Sequence, residues 1–134
     1  MALEESEEAA VSLFVCHNSY STACAEYLVK RDKIEAAVLV YASGVSPKSN
    51  QIDGNIWKTI HVVKYVGSVL DNSRSLYLIF EKYKVKRLYL SNFLDKPEKL
   101  LMAKTSGDIY FLDDGLATIT IFHKGFDRFF FGSD

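Results

Sequence analysis

Asp113 and Asp114 are adjacent carboxylates followed by Gly115, and they come directly after the apolar stretch Ile109-Tyr110-Phe111-Leu112. Two neighbouring carboxylates repel, and partial burial at the end of a strand would raise the pKa of one towards the range useful for a general base. Gly115 would let the backbone turn sharply or let a ligand approach it closely. The same tripeptide also fits a turn in which an aspartate accepts helix N–H groups, so the residues alone leave both readings open. A second polar group, His17-Asn18-Ser19-Tyr20, follows the apolar residues 11–16. Ser91-Asn92 follows residues 87–90, and Ala42-Ser43-Gly44 follows residues 36–41. The candidate catalytic residues are therefore Asp113 and Asp114, and the candidate substrate contacts are His17, Asn18, Ser19, Tyr20, Ser91, Asn92 and Gly115. For His17 a structural or surface role is the competing reading.

Other chemistries find less support. Cys16 ends an apolar strand, as the nucleophile of small tyrosine phosphatases does, but their phosphate loop needs an arginine six residues later and Thr22 stands there. Cys16 reads instead as a small buried hydrophobe. His61 and His123 show no metal-ligand spacing with the cysteines, so no metal is expected. No G-x-G-x-x-G or G-x-x-x-x-G-K-[ST] loop follows the first strand. A receiver domain would carry its acidic pair after strand one, whereas here it follows strand five.

The elements that would position these groups alternate in type. Residues 11–16 and 36–41 are apolar runs of the kind that become strands buried on both faces. Between them, Cys24, Tyr27 and Leu28 are spaced as on a helix spanning 21–30. Residues 43–55 are rich in Ser, Asn, Gly and Pro and read as a loop, and 58–63 as a third strand. Val69, Leu76, Phe80 and Tyr83 predict an amphipathic helix over 68–84. Strand four covers 87–90, a short helix covers 97–104 with Pro97 in its first turn, and strand five covers 109–112. Strands alternating with helices imply an α/β fold, a Rossmann-like parallel sheet of about five strands with helices on both faces. In such sheets ligands bind outside the carboxyl ends of the strands, which is where the polar residues above collect.

With 134 residues, half of them apolar and a formal charge of -1, the chain has the balance of an ordinary globular domain. That charge gives no electrostatic case for nucleic acid. The N-terminus, residues 1–8, is acidic and lacks the features of a signal peptide, and no apolar run is long enough to span a bilayer. A cytoplasmic location is the expectation, peripheral at the inner membrane included, with Cys16 and Cys24 as free thiols. Three parts are expected: an acidic lead at 1–10, the α/β domain at 11–118, and an aromatic segment at 119–134. Within the last, Phe126, Phe129, Phe130 and Phe131 either cap the sheet or meet a partner surface, a second domain or another copy.

Together these blocks resemble the bacterial lipooligosaccharide sialyltransferases, glycosyltransferase family 52. The likeness runs through Ser12-Leu13-Phe14-Val15-Cys16 and Ala25-Glu26, then Lys84-Val85-Lys86-Arg87-Leu88-Tyr89-Leu90, and ends in Ile109 to Gly115. It covers residues 11–118, the N-terminal half of such an enzyme. The resemblance implies one half of a GT-B architecture, with the site in a cleft between two Rossmann-like halves. It implies inverting transfer of sialic acid from the donor CMP-sialic acid to a galactose-terminated glycan, without a metal or further cofactor, in lipooligosaccharide biosynthesis. It makes Asp113 or Asp114 a candidate base, although within the family the base can come from the second half. The His-Pro element that assists the departing CMP belongs to that second half, and neither Pro47 nor Pro97 follows a histidine. One half-cleft cannot hold donor and acceptor together, so the chain alone is expected to be inactive. The competing expectations are a non-catalytic α/β assembly module and a different small enzyme acting at the strand ends.

Overall fold

The computed structural model describes residues 9–48, 50–91 and 96–112 and the backbone of residues 119–122. The first strand, β1 (Ala10–Cys16), is buried along almost its whole length. It leads into α1 (Ser19–Asp32), which starts at Asn18 through a capping box with Ser21 and ends at Lys33 in the left-handed conformation. Residues Cys24, Ala25, Leu28 and Val29 form the buried stripe of α1. Next come β2 (Ala37–Ser43) and, after a loop, β3 (Thr59–Lys64). The helix α2 (Val69–Phe80) is capped by Ser68, whose hydroxyl accepts from the Asp71 amide. It stops four residues earlier than its spacing predicts, because Lys84 already opens β4 (Lys84–Leu90). The helix α3 (Lys96–Lys104), β5 (Asp108–Leu112) and β6 (Ile119–Phe122) complete the described elements.

The six strands form one sheet in the order β3-β2-β1-β4-β5-β6. The first five are parallel, with β1 paired to both β2 and β4. The fold is therefore the expected Rossmann-like α/β sheet of five parallel strands. The sheet then continues past residue 118, because β6 pairs antiparallel with β5. The expected boundary at 118/119 thus falls between two strands of one sheet.

Alternation along the strands splits the core into two layers. Val11, Leu13 and Val15 of β1 face α2 and α3 with Val38, Val40, Leu88, Leu90, Leu76 and Leu101. Phe14 and Cys16 face α1 with Leu39, Tyr89, Leu28 and Trp57. The first layer is mostly aliphatic. The second is aromatic: Phe14 stacks on Tyr89 with centroids 4.0 Å apart, Tyr89 stacks on Tyr110 at 4.7 Å, and Trp57 meets Phe14 edge-on at 5.2 Å.

Strand β4 needs a correction of phase to fit both layers. Val85 and Leu88 are three residues apart yet belong to the same layer, which a regular strand with its period of two cannot do. The register shows how this is solved: Val11 pairs with Val85 but Ser12 pairs with Arg87, so Lys86 is the extra residue of a bulge. The bulged carbonyl presses on Gly107, where a Cβ would lie 2.4 Å from the Lys86 oxygen. A side chain there would force the bulge or the β5 entry to move.

Candidate functional site

Strand order reverses between β1 and β4, since β1 connects forward to β2 on one side and the chain returns through α2 to β4 on the other. The crevice at the carboxyl ends of those two strands is the expected ligand position in an open α/β sheet. His17 and Asn18 leave β1 there and Ser91 leaves β4. Leu112 ends β5 at the same edge, because β5 is parallel to β4. Asn92, Asp113, Asp114 and Gly115, and the four phenylalanines Phe126, Phe129, Phe130 and Phe131, lie outside the described residues.

Several candidate contacts are already engaged with the protein. The Asn18 side chain accepts from the Ser21 amide at 2.8 Å, and the Asn18 carbonyl accepts from the Thr22 hydroxyl at 2.8 Å. Asn18 is thus the N-cap of α1. The Ser91 hydroxyl donates to the Val15 carbonyl at 3.2 Å, tying β4 to β1 across the reversal point. Ser19 and Tyr20, on the first turn of α1, are exposed and bring their side chains to the surface.

His17 is the centre of a half-buried polar cluster built on a buried carboxylate. Its Nδ1 lies 2.7 Å from the Ala42 carbonyl near the end of β2. Its Nε2 lies 2.9 Å from Oε2 of Glu98, a residue of the first turn of α3 whose side chain is 0% exposed. The Tyr65 hydroxyl, just beyond β3, donates to the same carboxylate oxygen at 3.0 Å. The carbonyl can only accept, so Nδ1 carries a hydrogen. The Nε2–Oε2 approach is close in distance but off the axis of a good hydrogen bond. Oε1 of Glu98 is buried and has no hydrogen-bond partner among the described residues.

This cluster joins the ends of β1, β2 and β3 to α3. Each group fixes another: Glu98 sets the ring angle of His17, and the Ala42 carbonyl sets which ring nitrogen bears hydrogen. The cluster therefore stiffens the crevice and anchors the helix that follows Ser91. Glu98 and Tyr65 were not among the candidates read from sequence. A signal for Glu98 was present, since it shares the 98, 101, 102 stripe with the buried Leu101 and Met102. No comparable signal marks Tyr65.

Cys16 conforms to the expectation of a buried hydrophobe. Burial pushes its thiol up to about 12, against smaller opposing effects from the Ser21 and Thr22 hydroxyls. A thiol so held is not a nucleophile at neutral pH. His61 sits apart from the crevice, with Nε2 2.6 Å from the Tyr83 hydroxyl, and burial, aided by Lys82, holds its imidazole below the ordinary value. Among the described residues no group of three or more His, Cys, Asp or Glu side chains could hold a metal ion, and no helix is long and apolar enough to cross a membrane. No protein-family model matches the chain, and no curated protein matches it.

Proposed function

We propose that the chain is the acceptor-side half of a sialyltransferase-type glycosyltransferase of GT-B architecture. The observation that carries this reading is the parallel run β1-β4-β5, whose carboxyl ends leave the sheet at one edge beside the reversal of strand order. Asp113 and Asp114 follow β5 in sequence by one and two residues. In the proposed reaction one of these carboxylates takes the proton of the galactose hydroxyl as that oxygen attacks the anomeric carbon of sialic acid. The bond to CMP breaks on the opposite face, so the configuration inverts. The His17–Glu98–Tyr65 cluster contributes by keeping the edge rigid, since a site works only when its supporting shell is held in place. Nucleotide binding and the departure of CMP fall to a second half, and the chain alone binds acceptor without turning it over.

Amide spectra of the chain, titrated separately with lactose and with CMP-sialic acid, test this. Lactose is expected to move the signals of Ser91 and Leu112, with dissociation constants in the range of about 1 mM or weaker, and the nucleotide to move little. Asp113→Asn combined with Asp114→Asn should reduce the lactose response. Release of CMP by the isolated chain would refute the half-site reading, and an absent lactose response would refute the acceptor assignment.

A further inference from the structure

A cavity lies at the opposite, amino-terminal edge of the sheet and owes nothing to the transferase reading. It has a volume of about 430 Å³ and is bounded by the end of α1 and the β4–β5 face, within the size range of small-molecule sites. Its walls include Lys33, Lys86 and Arg87, the phenols of Tyr89 and Tyr110, and the carboxylates of Asp32 and Glu35. The stacking of Tyr89 on Tyr110 at 4.7 Å sets the two phenols side by side. Burial raises the Tyr89 phenol against the smaller opposing effect of the Arg87 charge, so the phenol keeps its proton and remains a donor.

The charges here are unevenly matched. Asp32 is already held by Arg31, with two nitrogen–oxygen contacts of 2.8 and 3.1 Å. Among the described residues Lys33, Lys86 and Arg87 form no salt bridge, which leaves Glu35 as the other lining carboxylate. The connection that bears Lys33 and Glu35 is strained: Lys33 has φ 52 and Ala36 φ 55. For a helix cap such a φ is ordinary, but at Ala36 it costs about 1 kcal/mol. The Lys86 bulge supplies the third cation from the other wall.

We propose that this cavity binds a phosphorylated, polyhydroxylated small molecule of the sugar-phosphate class. The cations and phenols supply donors for the phosphate, charge-assisted at Arg87. The Glu35 and Asp32 carboxylates accept from hydroxyl groups on the body of the ligand. The volume exceeds what a bare phosphate fills, and the mixed donor and acceptor lining suits hydroxyls better than an apolar ring.

The test is an amide-spectrum titration of the full chain with glucose 6-phosphate, with inorganic phosphate and glucose as separate arms. Glucose 6-phosphate is expected to move Ile34, Arg87 and Tyr110 saturably and to leave Ser43 and Ser91 unmoved. Arg87→Gln should weaken binding about tenfold, and Tyr110→Phe, which removes one phenol hydroxyl, by a smaller factor. If Arg87→Gln does not fold, the pair Lys33→Gln with Lys86→Gln reads the same charge. No saturable movement at Tyr110 up to about 10 mM ligand would overturn the proposal. Equal affinity for inorganic phosphate would overturn the sugar-phosphate class, and equal affinity for glucose would overturn the role of the cations.

Discussion

At the carboxyl edge of the sheet, Asn18 caps a helix, Ser91 bonds the Val15 carbonyl, and His17 is gripped between Ala42 and Glu98. At the amino edge, Lys33, Lys86 and Arg87 stand around an open cavity with two phenols. Both edges are rich in polar side chains, but at the first these are part of the protein's own framework. The difference teaches that a polar strand end is not by itself a ligand site. What matters is how many of its donors and acceptors are already engaged from within, and among the described residues of the first edge Oε1 of Glu98 is a buried acceptor left over.

Stability measurements can break this comparison. The largest expected effect is at Glu98. Glu98→Leu leaves His17 and Tyr65 facing an apolar side chain, and leaving such polar groups without their partner costs about 1–3 kcal/mol. Urea unfolding of the variant should show it; a loss below about 1 kcal/mol would mean the cluster is incidental. Asn18→Ala should cost about 1 kcal/mol through the lost cap, read from the same unfolding curves. At the amino edge, Arg87→Gln should change stability by less than about 0.5 kcal/mol, because its charge is not holding the fold together. A larger loss there would make the two edges alike.

The smallest expected effect is a pH dependence. Burial lowers the His61 value in the folded chain, so the unfolded chain binds more protons as pH falls through about 6.5. The contribution of His61 is therefore complete above that value and declines below it. Urea midpoints at neutral and mildly acidic pH should show the decline, and His61→Gln should flatten it. An undiminished slope in that variant would assign the decline to other groups.

Much of this framework was legible in the residues. Buried parallel strands are continuous apolar runs, and the stretches that became β1 and β2 stood out for that reason. The end of α2 was misplaced because Tyr83 continues the helical spacing, while the Lys84-Val85-Lys86 alternation of the incoming strand overlaps it. Ala36 reads as strand by type, but it takes a left-handed turn before β2 begins. Pairing partners are set by tertiary contact, so β6 could be read as apolar but not as the antiparallel neighbour of β5. At the carboxyl edge, His17, Asn18 and Ser91 were identified by position, but their internal partners were not. A glutamate with no exposure runs against the usual surface preference of charge, and a backbone carbonyl such as that of Ala42 leaves no trace in residue type. The amino-edge cavity was not anticipated at all, since its members come from the end of α1, the connection after it, β4 and β5, which only folding brings together.

The reversed direction of β6 has a consequence for attachment. Phe122 pairs with Ile109, so the polypeptide finishes its last described strand at the end of the sheet remote from the crevice. Whatever is joined beyond it sets out from the far rim and must cover roughly 15–20 Å, the length of a strand of five or six residues, before it can face His17.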